Sequence, residues 1–469
     1  MFKKTVFLSV SNPLIVRNFF LIPGGVVSLL KEQGIRLIVL VPLPAEEQMK
    51  KDFGSTEVII EPISVNWKRT FLQRIHTFFS TYLIFTETQQ LLAKYGTRAD
   101  IEAAGGKSFL YPFKFAISRT LGRWGWFKNV LMSKVSLMVY PERPYKELYD
   151  KYKPDLVFLP DFHSMQDTAL LREAKRHGIK TTGLSGSWDH FVKKFEPLKL
   201  DSLMVWNEPV KKEAISLQGY QKSNVIVTGP PYYDIFAQKN LLLSREEFCK
   251  KINFDPKRKI IFFGSRGRYT PNDGDIVAIL LDAIKGKALT KEAQILVRPY
   301  PGARKEESEK FAQFEEDLLV HNDWIEPKKI FGHSGFTWYP SLGDLIHFMN
   351  CLYHADVIIN TYSSITVEGS FFLKPIININ FDGNQKLPFK RSIKRFERMS
   401  NFVHVNEVNG VVIVNNKEEL VNAVNRSFND PQATIANVTA LRDKMCYKAD
   451  GGAAERIATH ILNILSVAR

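Results

Sequence analysis

The apolar positions of this chain fall mostly in short unbroken runs, such as "TVFLSV", "LIVLVP", "LVFLP", "IIFFG" and "VIIN". A run of four to eight apolar residues closed by turn residues is the pattern of a strand covered on both faces, as in a parallel sheet. Between these runs lie segments with helical spacing, including "VVSLLKEQG", "TALLREAKRHG", "VKKEAISLQG", "IVAILLDAIKG" and "LGDLIHFMNCLYH". Strand and helix alternate as far as the tandem Pro230-Pro231, pass through a connecting helix at "SREEFCKKINF", and alternate again from "KIIFFGS". The pattern predicts an α/β protein with two doubly wound, Rossmann-like domains facing a cleft, where open parallel sheets bind ligands. The boundaries fall at 1–234, 235–440 and 441–469, the last being a terminal helix expected to pack back across the domain interface. A chain of 469 residues is also too long for one ordinary core.

Residues 66–140 break the alternation. They hold eleven Lys or Arg against three Asp or Glu, and fifteen Phe, Trp or Tyr. The reading is a basic, aromatic helical insertion in the first domain, either facing an anionic membrane surface with rings at headgroup depth or packed on the domain with its aromatics in the core. Lys114, Arg119, Arg123 and Lys128 are the cations expected to carry that attraction. The whole chain has a formal charge of +15, which agrees with an anionic partner. Nucleic acid is set aside because no fingerprint of a nucleic-acid module is present. The three cysteines show neither paired nor metal-ligand spacing. Asn12, Pro13 and Arg17 interrupt the first apolar stretch before it reaches signal-peptide length, and no run approaches a membrane span. The expected location is cytoplasmic, with peripheral attachment to the inner face of the membrane.

Several loops at strand ends carry candidate chemistry. In "VIINTYSSITVEGS", Thr361, Ser363 and Ser364 offer hydroxyls at a helix start, where a phosphate is favoured, and Glu368 lies one turn in, where its carboxylate can accept sugar hydroxyls. Arg266 and Arg268 stand among glycines after one strand, and Arg298 ends the next, each placed to meet a phosphate. "DGD" at Asp273–Asp275 reads as a helix start rather than a metal motif, and no metal or other cofactor is assigned. Gly24 and Gly25 open the first helix and allow close approach of a donor from across the cleft, or simply a tight turn.

These strand ends, the "SSITVEG" turn, "TGPPYYD" and "DGGAAERIATHIL" resemble glycosyltransferases of the GT-B architecture, above all bacterial surface-carbohydrate enzymes and CDP-glycerol glycerophosphotransferases. "SWDHF" at 187–191 is similar to their "SWDN" stretch, with His190 in place of Asn, and "RPYP" carries Tyr300 where relatives often have His. The resemblance implies that the C-terminal domain binds a nucleotide-activated donor, with Glu368 on the ribose. It implies that the first domain binds a glycan or lipid-linked acceptor and supplies a base. Asp189 with His190 is the first choice, because burial beside Trp188 would raise a carboxyl toward a useful range and Trp188 could stack a sugar. Asp161 and His163 come second. The expected activity is inverting, metal-independent sugar transfer from a nucleotide-sugar in surface polysaccharide synthesis. The alternatives are polyol-phosphate transfer from a CDP-linked donor, a nucleotide-sugar 2-epimerase, and a non-catalytic binding subunit.

Overall fold

The protein is described by a computed structural model over residues 4–63, 68–96, 109–300, 305–314, 316–325, 328, 330, 331 and 338–467. The first series of runs forms a seven-stranded sheet of β1 (Lys4–Ser9), β2 (Ile35–Pro42), β3 (Val58–Ile63), β4 (Leu156–Leu159), β5 (Lys180–Leu184), β6 (Ser202–Val205) and β7 (Val225–Val227), in the order β3-β2-β1-β4-β5-β6-β7. The second forms a six-stranded sheet of β8 (Lys259–Gly264), β9 (Ala293–Arg298), β10 (Val320–Asn322), β11 (Val357–Asn360), β12 (Ile376–Ile379) and β13 (Val412–Val414), in the order β10-β9-β8-β11-β12-β13. Every pairing is parallel. Central strands such as β4 and β11 are buried along their whole length, which explains their unbroken apolar runs. In each sheet the strand order reverses once, between β1 and β4 and between β8 and β11. Loops leaving those strands flank the crevice where such folds hold ligands.

The insertion is helical, with helices Phe71–Thr81, Glu87–Tyr95, Tyr111–Arg119 and Met132–Val139. It has a small apolar core apart from the main one, built from Leu83, Ile84, Ile117 and Met132 against Phe195. Most of its rings do not enter a core. Of the eighteen exposed large hydrophobic side chains among the described residues, eleven lie in this segment, among them Phe71, Phe109, Phe113, Trp124 and Trp126. The basic residues divide differently from expectation. Arg119 and Arg123 are exposed, whereas Lys114 is buried with its Nζ donating to the Ala93 carbonyl at 3.0 Å, and half-buried Lys128 donates to the Leu217 carbonyl at 3.0 Å. No described helix is long and apolar enough to cross a membrane.

The two domains meet along several seams. Thr88 of the insertion and Ser400 exchange hydrogen bonds of 3.2 and 2.8 Å, and Tyr339 donates to Asp52 at 2.8 Å. After β7 the chain passes through a 3-10 turn at Pro231–Ala237. There the Asp234 carboxylate accepts the Ala453 and Ala454 N–H groups at 3.0 and 2.7 Å, capping the terminal helix Ala453–Val467. That helix packs on the helix Val26–Glu32 of the first domain, and its His460 hydrogen-bonds Ser202 of β6 at 2.7 Å.

Candidate active site between the two switch points

On the first-domain side, loops after β1, β4 and β5 converge. Asn12, after β1, caps the helix Pro13–Phe19 and donates to Asp161, after β4, at 3.2 Å. Gly186, after β5, lies so close to Asp161 that a Cβ there would sit 2.6 Å from its Cγ. This glycine lets the two loops touch. The edge of one of the His163 and His190 rings meets the face of the other at 4.0 Å, and His190 Nδ1 lies 3.9 Å from Asp161 Oδ1. Asp161 Oδ1, His163 Nε2 and His190 Nδ1 are all buried without a hydrogen-bond partner. His163 Nδ1 is held by Glu196 Oε1 at 2.7 Å. Burial alone would raise the Glu196 carboxyl, but Lys194 and His163 outweigh it and hold it at about 2. An anionic Glu196 holds the proton of His163 Nδ1, so Nε2 is the ring nitrogen left to meet a reacting hydroxyl, as a general base requires. Burial pushes His190 well below the ordinary histidine range, assisted by His163, Lys193 and Lys194, so it stays neutral.

Asp189 differs from expectation. Burial does push its carboxyl up, yet Lys193 at 2.5 Å, Ser187 at 2.7 Å and the charge of Arg266 outweigh that and the net shift is downward. Trp188 is buried and meets Phe402 of the second domain edge-to-face at 5.3 Å, which removes the stacking platform expected for a sugar.

On the second-domain side, Arg266 follows β8. It is half-buried, burial lowers its pKa, its guanidinium lies 4.1 Å above the Phe396 ring, and its Nη1 is buried without a partner. A second cation went unnoticed in the sequence. Arg395 of "KRSIKRF" is 2% exposed, and burial together with the neighbouring Arg266 charge lowers its pKa to about 10. Two arginines held near each other inside a protein repel, and a diphosphate relieves that repulsion. The Arg268 side chain lies outside the described residues. Arg298 does not face the cleft as a free cation. It is buried and bonded to Asp323 at 2.5 Å and to Asp344, and these two carboxylates push its pKa up despite burial.

The polar turn after β11 also differs in detail. The helix it opens, Ile365–Ser370, has only six residues and no side-chain cap from Ser364. The N–H groups of Ser363 and Ile365 bond Asn360 Oδ1 and Ser363 Oγ at 3.0 and 3.2 Å, and those of Thr366 and Val367 bond backbone carbonyls of the turn. Thr361 is buried, Ser363 is engaged in the turn, and only Ser364 is exposed. Tyr362 between them adopts a left-handed φ of +45°, a strained choice for a bulky residue. Glu368 is not a solvated surface charge. It is 5% exposed, and burial raises its carboxyl to about 7 against the opposing pull of Arg17 and Ser364. Arg17 of the first domain acts on it through its charge, and the Arg17 guanidinium stacks 3.7 Å over Tyr232, a contact no sequence motif announced. Gly24 has φ +71°, and a Cβ on Gly25 would sit 2.8 Å from the Ile22 carbonyl oxygen, so both have a turn to form.

Among the described residues two groups have ligand sets suited to a divalent cation: Asp161 with His163 and His190, and Asp323 with His347 and Cys351. In the second, Asp323 is already neutralised by Arg298. Asp273 accepts the Ser265 and Thr270 hydroxyls at 2.6 and 2.5 Å, and Asp275 accepts the Asn384 N–H at 2.9 Å, so the "DGD" carboxylates brace loops.

Comparison with known proteins adds three findings. A family model described as CDP-Glycerol:Poly(glycerophosphate) glycerophosphotransferase matches residues 174–463. No curated protein matches the chain by sequence. Among solved structures, the fold is similar to Staphylococcus aureus MnaA with UDP (TM-score 0.53, 14% identity, 99% of this chain and 98% of that one). It is similar also to the UDP-GlcNAc 2-epimerase of Neisseria meningitidis (0.51, 11%, 98% and 99%) and to the wall teichoic acid polymerase TagF (0.51, 11%, 99% and 89%). At such identities these structures speak for the two-domain GT-B fold.

Proposed function

Because this chain belongs to the CDP-glycerol:poly(glycerophosphate) glycerophosphotransferase family, we propose that it is a nucleotide-dependent transferase of surface-polymer synthesis that moves a polyol phosphate from a CDP-linked donor to an acceptor hydroxyl. The observation that carries this reading is a base-like His163 held by Glu196 in the first domain, together with a second-domain Arg266 whose charge acts on Asp189 in the loop that carries His190 and on neighbouring Arg395. His163 Nε2 takes the proton of the acceptor hydroxyl as its oxygen attacks the phosphorus that bears the polyol. The bond from that phosphorus to the bridging oxygen breaks, CMP leaves with the electron pair, and the arginines stabilise the charge that develops. His190 and Asp161 complete the polar wall around the reacting hydroxyl. Glu368 accepts hydroxyls of the donor nucleoside, and the mechanism needs no metal. The test is release of CMP from CDP-glycerol in the presence of a hydroxyl-ended acceptor, compared with release of nucleoside diphosphate from a panel of nucleotide sugars. Turnover of a nucleotide sugar and not of CDP-glycerol returns the assignment to sugar transfer.

The Glu368 carboxyl near 7 makes donor binding depend on pH. The ionised form accepts more hydrogen bonds, so affinity strengthens as pH rises from 6 to 8. Glu368→Gln flattens that profile, whereas Arg266→Ala keeps the slope and weakens donor binding roughly tenfold to a hundredfold. Calorimetric titration across this range checks both, and a flat wild-type profile removes Glu368 from the donor site.

The exposed rings of the insertion support attachment to anionic lipid, with Arg123 preceding Trp124 in the chain and Arg119 lying 3.7 Å over the exposed Phe85 ring. Vesicles containing anionic lipid are expected to sediment the protein and to release it in salt. Trp124→Ser with Trp126→Ser should weaken that binding more than Lys114→Gln with Lys128→Gln, since those lysines point inward. Equal sedimentation with neutral vesicles removes the electrostatic part.

A further inference from the structure

We propose that the cavity between the helical insertion and the first domain binds a phosphate group of the acceptor, anchored by Arg172. The cavity holds about 180 Å³ and is walled by the insertion helices Phe71–Thr81 and Met132–Val139 and by the helix Met165–Arg176. Arg172 is 8% exposed, lines this space, and makes no hydrogen bond or ion pair among the described residues. Its guanidinium lies 4.1 Å over the Tyr140 ring, and burial lowers its pKa to about 10. Arg69 lines the same space with a buried Nε that has no partner. Glu196 holds His163 and Lys194 at 2.7 and 2.8 Å, while Glu142 accepts from Gln73 at 2.8 Å and acts on Arg172 only through its charge, which burial outweighs. A buried guanidinium that no carboxylate bonds is costly, and a phosphate oxyanion matches its fork of donors.

The position of the cavity ties this anion to the acceptor. A second cavity of about 420 Å³, lined by His163 and His190, shares Thr81, His163 and Lys194 with the first. The two cavities therefore adjoin at His163, and a phosphate held at Arg172 places the acceptor unit beyond it on the side of the base. The assignment rests on reading His163 as the group that meets the acceptor. The phosphate can come from a phosphodiester within a polymer or from the linkage of a glycan to its lipid, and the chemistry at Arg172 is the same.

Two measurements test the proposal on the full chain. In the first, inorganic phosphate is titrated into the Arg266→Ala protein, so that the donor side is already disabled. Adding Arg172→Gln should weaken the remaining phosphate binding at least tenfold, and adding Arg172→Lys should restore most of it. Unchanged binding with Arg172→Gln overturns the proposal. Should Arg172→Gln fail to fold, Arg69→Gln carries the same comparison. In the second, Arg172→Gln should raise KM about tenfold for a hydroxyl-ended phosphodiester oligomer or for a lipid-phosphate acceptor, whichever the cavity serves, with the donor KM unchanged. The acceptor that responds names the source of the phosphate. An equal loss on a neutral acceptor of the same length means that Arg172 serves only the structure. If no donor is turned over at all, the transferase reading fails while the phosphate titration still decides the cavity.

Discussion

His163→Ala is expected to lower turnover by roughly 10² to 10⁴ while leaving donor affinity within twofold of wild type. The side chain belongs to the first domain, and its unpartnered Nε2 lies in a ring that lines the cavity shared with His190. Glu196→Gln should act through the same imidazole. Loss of the anion frees His163 to place its proton on Nε2, so the variant should lose activity and shift the pH profile of kcat, which a purely structural defect would not do. Asp189→Asn should be milder, because Lys193 and Ser187 already engage that carboxylate. Single-turnover rates measured with donor saturating separate the three. A dead Asp189→Asn beside an active His163→Ala would return the base to the loop after β5.

Arg298→Ala is expected to destabilise the second domain by about 3 to 5 kcal/mol, the usual consequence of leaving buried charges without their partner. Asp323 and Asp344 would then face each other with no guanidinium between them. The sign follows from the lowered Asp323 carboxyl: burial opposes its charge, and His347 and Arg298 together overcome that opposition. The variant should therefore melt earlier or accumulate in the insoluble fraction. A soluble Arg298→Ala protein of wild-type stability with weak donor binding would show instead that this arginine serves the donor.

The sheets were legible because their central strands are covered on both faces, and such strands leave runs in the sequence that nothing else imitates. β3 and β10 left weaker marks. Both lie at sheet edges, β3 contains Pro62 and a partly exposed alternation, and β10 has three residues. The helix Pro13–Phe19 was hidden inside a stretch whose interruptions are its own start, Asn12 as cap and Pro13 at the first position. At the site, residue type at a strand end identified Arg266, Glu368, Asp161, His163 and His190 as candidates, and the structure brings the last three together. Side-chain pairing lies beyond that kind of reading. That Arg298 is neutralised by two carboxylates, that Asp189 belongs to Lys193, and that Glu196 orients His163 all depend on contacts across 25 to 46 residues or on local packing that spacing does not encode. Arg17 and Arg395 escaped for the same reason.

The terminal helix has a mechanical consequence. The polypeptide crosses between the domains once near Gly229 and returns near Gly451, and these crossings touch, with a Cβ on Gly229 placed 3.4 Å from Ala453 and one on Gly451 placed 2.8 Å from Ala237. Both glycines sit in the left-handed region, at φ +82° and +75°. Two crossings side by side make that place the pivot for any relative movement of the domains. Such movement has to part the Thr88–Ser400 and Tyr339–Asp52 hydrogen bonds, so these seams hold the two halves of the site in register.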